Sequence, residues 1–304
     1  MPLVNKNEDS TELPLVMNVV IRYWGEDISP PISRGASDKG VLMIRGVEIA
    51  KTLGIESYIY KSSISDLKKR IDQGVPPIVI MPGIQGTVQH AMIVSGYDND
   101  ERRILTYVPE PDTVGAIPES KFKQDWEQDD MTAILMLPSD MKELLKNEDL
   151  KFAKSNRACF EAEGLRQDGK VNEAMDKLQK ALEIDPDNPQ VWVLLGGIYN
   201  ETNSEQATIC YEKAIKINPR SYLAHRGLGN YYLKRKDYSL AEAYYSKAID
   251  ISPFRFAPIY KNRAVARMQI GNNKGAKEDL IKYLEQMPTA QDRQDIREAL
   301  TELQ

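Results

Sequence analysis

The chain is poor in the residues that cross-link a fold or bind metals. It has two cysteines and two histidines among 304 residues. Cys159 and Cys210 are too few for a disulfide framework, and their spacing from His90 and His225 is not that of a zinc site. The sequence therefore predicts no metal site and no cofactor, and both thiols are expected to be buried core residues.

Long apolar runs and a strong net charge are also missing. No apolar stretch approaches the roughly 18 residues of a membrane-spanning helix, so we expect no membrane span. The net charge is −5, and no basic stripe with interleaved aromatic residues argues for a nucleic-acid partner. The polar N-terminus predicts a cytoplasmic protein if the chain is complete, and a periplasmic or extracellular one if an export signal was removed.

What is present is a periodic second half. Four prolines recur 33, 34 and 35 residues apart, at Pro186, Pro219, Pro253 and Pro288. Twelve residues before each proline stands an alanine: Ala174, Ala207, Ala241 and Ala276. Five before it stand Ala181, Ala214, Ala248 and Tyr283. Small residues at fixed positions let two helices approach closely, and a proline cannot continue a helix.

The most complete unit has the pattern W-x-x-L-G-x-x-Y from Trp192 to Tyr199. This pattern resembles the tetratricopeptide repeat (TPR), a ~34-residue pair of antiparallel helices. The resemblance implies four units, at about 155–188, 189–221, 222–255 and 256–288, that stack into an all-α TPR superhelix. Residues 289–304 then form a C-terminal capping helix.

The first half predicts an α+β domain, because helices come first and strands follow. Helices are predicted over Pro14–Trp24, Val41–Leu53, Ser63–Gln73 and Glu119–Trp126. Strands are predicted over Ser57–Tyr60, Pro77–Met81, His90–Tyr97, Ile104–Val108 and Thr132–Leu137. A loop is predicted over Glu26–Gly40, and a charged helical linker over 139–154.

Two runs in this half, R-Y-W-G at Arg22–Gly25 and H-A-M-I-V-S-G-Y-D at His90–Asp98, resemble a C39-like, papain-type cysteine peptidase. The resemblance covers roughly residues 10–138 and implies a C39-like domain over 1–138. It places the family's nucleophile at Glu12, its histidine at His90 and its orienting aspartate at Val108. Glu110 would point to the same strand face as Val108.

These departures predict a pseudoenzyme. Thiol catalysis needs a sulfur at a helix N-terminus, and residues 1–150 contain no cysteine. The catalytic cysteine and its orienting aspartate are both replaced, so we expect no enzymatic activity. The alternative is a hydrolase or transferase that uses Glu12 and His90 in the papain-like cleft. His90 is otherwise a histidine satisfied by hydrogen bonds, or a contact for a ligand.

Some TPR proteins hold a terminal carboxylate of a peptide through basic residues and asparagines on their concave face. The positions that match in the third and fourth units and the cap are Arg226, Asn230, Lys261, Asn262, Arg267, Arg293 and Arg297. The resemblance thus implies a protein or peptide partner with an acidic or C-terminal carboxylate end. It would be excluded if the chain's own N-terminal domain filled this face.

Taken together, the sequence predicts a non-catalytic protein-binding adaptor or scaffold. It would use the concave TPR groove, and the inactive peptidase cleft is a second candidate surface. A purely architectural role in an oligomer is the remaining alternative. The sequence names neither the client nor the oligomeric state, and it leaves open whether both domains bind one ligand.

Overall fold

The structure is a computed structural model, and it describes residues 14–26, 43–83, 87–109 and 112–303. Contacts within the chain divide it into two compact units. One contains residues up to 81 together with 91–191, and the other contains residues 82–90 together with 192–304. This division groups residues by their contacts, whereas the boundaries inferred from the sequence follow the repeat pattern and the family resemblance. Those boundaries therefore stay a prediction.

A six-stranded sheet forms the centre of the α+β region, with the strand order β1-β6-β2-β3-β4-β5. Its strands are β1 Ile55–Lys61, β2 Ile78–Pro82, β3 Gln89–Asp98, β4 Arg103–Val108, β5 Thr113–Pro118 and β6 Thr132–Pro138. The pairs β1–β6, β2–β6, β3–β4 and β4–β5 are antiparallel. In the β3–β4 pair, Tyr107 lies opposite Ile93.

Among the described residues, four helices accompany the sheet: α1 Leu15–Tyr23, α2 Met43–Thr52, α3 Ile64–Asp72 and α4 Glu119–Trp126. Phe122 and Trp126 are fully buried in an apolar cluster with residues of α3 and the strands. The R-Y-W-G run anchors the end of α1, because Trp24 Nε1 donates to the Met136 carbonyl at 2.8 Å and the Tyr23 hydroxyl donates to the Gly74 carbonyl at 3.0 Å. These residues therefore have a structural role.

Two parts of this region differ from the sequence prediction. Strand β5 was not predicted, because it lies at the sheet edge and none of its residues is buried; Val114 is 79% exposed. The predicted helical linker over 139–154 is helical only in part, because Ser139–Leu145 forms turns of the 3-10 type and the next helix begins at Ala153. The linker is held instead by backbone bonds to Gly54 and Lys61. The predicted Glu26–Gly40 loop falls almost wholly outside the described residues.

The second half consists of paired helices, as predicted. The pairs are α5 Ala153–Gln167 with α6 Val171–Ile184, α7 Pro189–Glu201 with α8 Gln206–Ile217, α9 Tyr222–Lys234 with α10 Tyr238–Ile251, and α11 Pro258–Gln269 with α12 Asn273–Gln286. A last helix, α13, covers Arg293–Glu302. The second helix of every pair ends two residues before the repeat proline.

The repeated small residues are all buried at the helix contacts. A Cβ placed on Gly196 would lie 2.8 Å from the ring of Tyr211, and one on Gly229 would lie 2.5 Å from the ring of Tyr245. These distances are shorter than van der Waals contact. Glycine is therefore required at both positions, because a tyrosine of the second helix packs directly on the backbone of the first.

Candidate functional site

His90 at the start of β3 is oriented by a backbone group. Its Nδ1 lies 2.6 Å from the carbonyl oxygen of Pro82. A carbonyl can only accept a hydrogen bond, so Nδ1 carries the proton in this contact. Val108, at the position of the family's aspartate, packs against the apolar cluster of the sheet. Glu12 and Glu110 lie outside the described residues, so the Glu12–His90 alternative stays a prediction.

The two thiols are far from the state that nucleophilic catalysis needs. Cys159 in α5 and Cys210 in α8 are free and buried. Burial raises the pKa of Cys159 well above its ordinary value of 9.0, and it raises that of Cys210 to about 11. Both groups are therefore neutral thiols at physiological pH, whereas the nucleophile of a thiol enzyme is the thiolate.

Arg226 is the candidate with the most unusual surroundings. It lies in α9, and its buried Nε has no hydrogen-bond acceptor among the described residues. Its guanidinium carbon is 4.9 Å from the ring centre of Phe256. Burial lowers the pKa of Arg226, and the positive charge of Arg255 adds to this effect. A buried polar group that lacks a hydrogen-bond partner is costly to a fold.

Two of the candidate asparagines lie close to Arg226 around the hydroxyl of Tyr245. This hydroxyl donates to Asn230 Oδ1 at 2.8 Å. Burial raises the pKa of Tyr245, and a hydrogen bond from Asn262 and the charge of Arg226 oppose that rise. The structure therefore brings Arg226, Asn230 and Asn262 together. Their role in binding stays a prediction.

The other basic candidates lie elsewhere. Lys261 in α11 pairs with Asp292 at 2.5 Å, and this bond together with the one from the Tyr283 hydroxyl lowers the pKa of Asp292. Arg293 and Arg297 are exposed on α13. These residues do not share the surroundings of Arg226.

Arg267 has a structural role in the fourth repeat. Its guanidinium pairs with Glu242 of α10 at 2.9 Å and with Asp279 of α12 at 3.0 Å. Arg263 also pairs with Asp279, at 2.6 Å. Since Asp279 is almost completely buried, the two arginines neutralise a carboxylate inside the helix pairs. An Arg267→Glu change would place two buried acids together and destabilise the repeats.

Three residues beside Arg226 were missed in the sequence. We call Tyr222, Arg226, Arg255 and Phe256 the arginine cluster. Arg255 is fully buried, with its guanidinium carbon 4.6 Å from the ring centre of Tyr222. The buried hydroxyl of Tyr222 has no partner among the described residues, and burial raises its pKa to about 12. One signal in the sequence could have indicated these residues. It is the run Phe254-Arg255-Phe256, in which a basic residue stands between two aromatic residues in a repeat loop.

Comparison with known families agrees with this architecture. Residues 164–202 match a TPR repeat model, residues 200–256 match a tetratricopeptide repeat model, and residues 43–134 match the Peptidase C39 like family. The chain carries a C39-like domain and tetratricopeptide repeats. The predicted α+β region followed by paired TPR helices is confirmed. No curated protein matches the chain.

Several solved structures resemble the repeats. The pilF protein of Pseudomonas aeruginosa is 22% identical, with a TM-score of 0.44, and the match covers 49% of this chain and 67% of that one. A thermophilic TPR protein of Thermus thermophilus is 19% identical, with a TM-score of 0.39 over 49% and 80% of the two chains. The first TPR of Spaghetti (RPAP3), bound to an HSP90 peptide, is 21% identical, with a TM-score of 0.35 over 38% and 94%.

The repeats support a protein-binding adaptor or scaffold role, while the C39-like domain leaves enzymatic activity open. Within the described ranges, no group of three or more histidine, cysteine or acidic side chains is arranged to hold a metal ion. None of the helices in the described part of the chain has the length and apolar character that crossing a bilayer demands.

Proposed function

We propose that this protein is a non-catalytic adaptor whose third and fourth repeats bind an acidic segment of a partner protein. The acidic group is a side-chain carboxylate or the terminal carboxylate of an extended peptide. The C39-like domain is inactive in this proposal, because Glu12 and Val108 replace the nucleophile and its orienting residue. Both cysteines lie in repeat helices, buried as neutral thiols.

The observation that carries the proposal is the buried Nε of Arg226, which has no acceptor in the described part of the chain. An arginine inside a fold is normally paired with a carboxylate, as Arg267 is with Glu242 and Asp279. The described groups that act on Arg226 are aromatic side chains and a second arginine. A carboxylate from a partner would supply the missing acceptor, in a charge-assisted hydrogen bond.

The neighbouring amides favour a peptide over a simple ion. Asn230 uses its oxygen to accept the Tyr245 hydroxyl, so the groups that its side chain can offer to a ligand are the donor N–H groups of the amide. A terminal carboxylate has two oxygens, so it can accept hydrogen bonds from a guanidinium and from an amide at the same time. The adjacent ring of Phe256 offers apolar contact to a peptide side chain.

Binding of a labelled peptide tests the proposal. The probe is Ala-Ala-Glu-Glu-Glu-Asp with an N-terminal fluorophore, in a free-acid and an amidated form, and anisotropy reports its affinity for the full chain. Arg226→Gln should weaken binding about tenfold or more, because a hydrogen bond to a charged group contributes about 1.5–3 kcal/mol.

The matched control is Arg235→Gln, which removes one positive charge at the end of the same helix. Arg235 is exposed and pairs with Glu205 at 3.5 Å. Its removal should change the affinity by less than about twofold. Equal losses in the two variants would contradict the proposal, because they would indicate general charge attraction. If only the free-acid probe binds, the ligand group is the terminal carboxylate.

A further inference from the structure

The arginine cluster already touches a segment from the first half of its own chain. The contact is to Arg255, which lies in the loop after α10 and is not one of the concave-face candidates. Arg255 Nε donates to the carbonyl oxygen of Val88 at 2.7 Å. The same oxygen accepts the backbone N–H of Gly83 at 3.0 Å. Residues 82–90 accordingly belong to the same compact unit as residues 192–304. The segment that supplies this carbonyl is separated from Arg255 by 167 positions in the sequence.

From these contacts we propose that the stretch Thr87–His90, which we call the internal segment, is a built-in competitor of the peptide ligand at the arginine cluster. A partner peptide binds in full only when its own acidic group and backbone displace the internal segment from Arg255. The inference rests on the proposed function and adds a regulatory feature to it.

The chemistry of the contact explains why displacement is feasible. Val88 offers a neutral carbonyl to the guanidinium of Arg255, so this hydrogen bond joins a charged donor to an uncharged acceptor. A carboxylate at the same place would form a stronger bond, because both partners would then be charged. The pKa of Arg226 is lowered by burial and also by the charge of Arg255, so its guanidinium would be stabilised by the same anion. An acidic peptide therefore has an energetic advantage over the internal segment, and a neutral one does not.

Competition from the internal segment lowers the apparent affinity of the chain for an added peptide. If the cluster is available only for a fraction of the time, the apparent dissociation constant rises by the inverse of that fraction. A tethered segment acts at an effective concentration in the millimolar range. Releasing the internal segment should therefore increase the affinity for an added peptide, with no new contact to that peptide.

Gly83 allows the segment to be released without changing the repeats. A Cβ at this position would lie 1.9 Å from the carbonyl oxygen of Thr87 and 2.6 Å from the carbonyl carbon of Val88. Both are backbone atoms, so Gly83→Ala must move the internal segment. Gly96→Ala is the matched control in β3, because its Cβ would meet only the flexible side chain of Leu105, at 3.3 Å.

The experiment measures binding of labelled Ala-Ala-Glu-Glu-Glu-Asp to the full chain. We expect Gly83→Ala to bind about tenfold more tightly than wild type or Gly96→Ala, and Arg226→Gln in the Gly83→Ala background to lose that gain. An unchanged affinity in Gly83→Ala, with wild-type binding that still depends on Arg226, overturns the competitor and leaves the proposed function intact. Absence of Arg226-dependent binding in every variant overturns both.

Hydrogen–deuterium exchange on wild type provides a second readout that needs no variant to fold. At a saturating peptide concentration, amide exchange in Thr87–His90 should become faster while exchange in β4 stays constant. Unchanged or slower exchange in the internal segment would overturn the competitor. A peptide with the three glutamates replaced by glutamines should leave the exchange of the internal segment as it is in the free protein.

Discussion

At the residue scale, the two arginines Arg226 and Arg267 show how one side chain can serve binding or folding. Both were candidates in the sequence, and both lie in the first helix of a repeat. Arg267 has two carboxylate partners, whereas the buried Nε of Arg226 has no acceptor among the described residues. The sequence could not separate them, because Glu242 and Asp279 come from other helices and their approach depends on packing.

This difference predicts opposite effects on stability. Arg267→Met leaves buried Asp279 with Arg263 alone and should lower the free energy of unfolding by about 2 kcal/mol. Arg226→Met removes a buried Nε that lacks an acceptor in the described ranges, and it should leave that free energy unchanged or raise it by up to about 1 kcal/mol. Urea denaturation of the two variants measures both values. A larger loss for Arg226→Met would mean that Arg226 is structural.

The thiols give a second prediction at this scale. Because burial raises the pKa of both cysteines, the folded chain should react with iodoacetamide at pH 8 far more slowly than the urea-unfolded chain. The pKa of Cys210 is higher in the folded chain than in the unfolded chain. The contribution of its neutral thiol to the free energy of unfolding is therefore complete below pH 9.0 and is lost as the pH rises towards about 11. Rapid labelling of the native protein, followed by mass spectrometry, would contradict the absence of a reactive thiol.

At the scale of elements, the repeat pattern predicted the helix pairs because it is local. A small residue and a proline at fixed distances determine where two helices touch and where the second ends. Strand β5 and the linker could not be predicted in this way, since β5 is defined by its register with β4 and the linker by bonds to Gly54 and Lys61. The arginine cluster was only partly predictable, because Tyr222 and Arg255 stand at opposite ends of the third repeat and meet only when its helices pack.

The tight contact in the third repeat can be tested directly. Gly229→Ala would place a methyl group 2.5 Å from the ring of Tyr245, and we expect a loss of about 1–3 kcal/mol in the free energy of unfolding. Adding Tyr245→Leu should recover part of the loss, because the smaller side chain leaves room for the methyl group. Thermal denaturation of the single and double variants provides the comparison. Additive losses would show that this contact does not limit packing.

At the scale of the whole molecule, a peptidase-like region and a set of repeats are joined in one chain. Residues of the two runs that resemble a peptidase have structural contacts. Trp24 and Tyr23 anchor α1, and the Pro82 carbonyl orients His90. Recognition in this account belongs to the repeats, where the buried Nε of Arg226 has no acceptor among the described residues. Our proposal is therefore that the protein binds a peptide and does not cut it.

The most direct test is to incubate the purified full chain with the free-acid peptide Ala-Ala-Glu-Glu-Glu-Asp and to measure both binding and the fate of the probe. Calorimetry gives the stoichiometry, and mass spectrometry gives the mass of the recovered peptide. The account predicts one peptide bound per chain, dependent on Arg226 and recovered intact after prolonged incubation. Cleavage of the peptide that disappears in His90→Ala would contradict it.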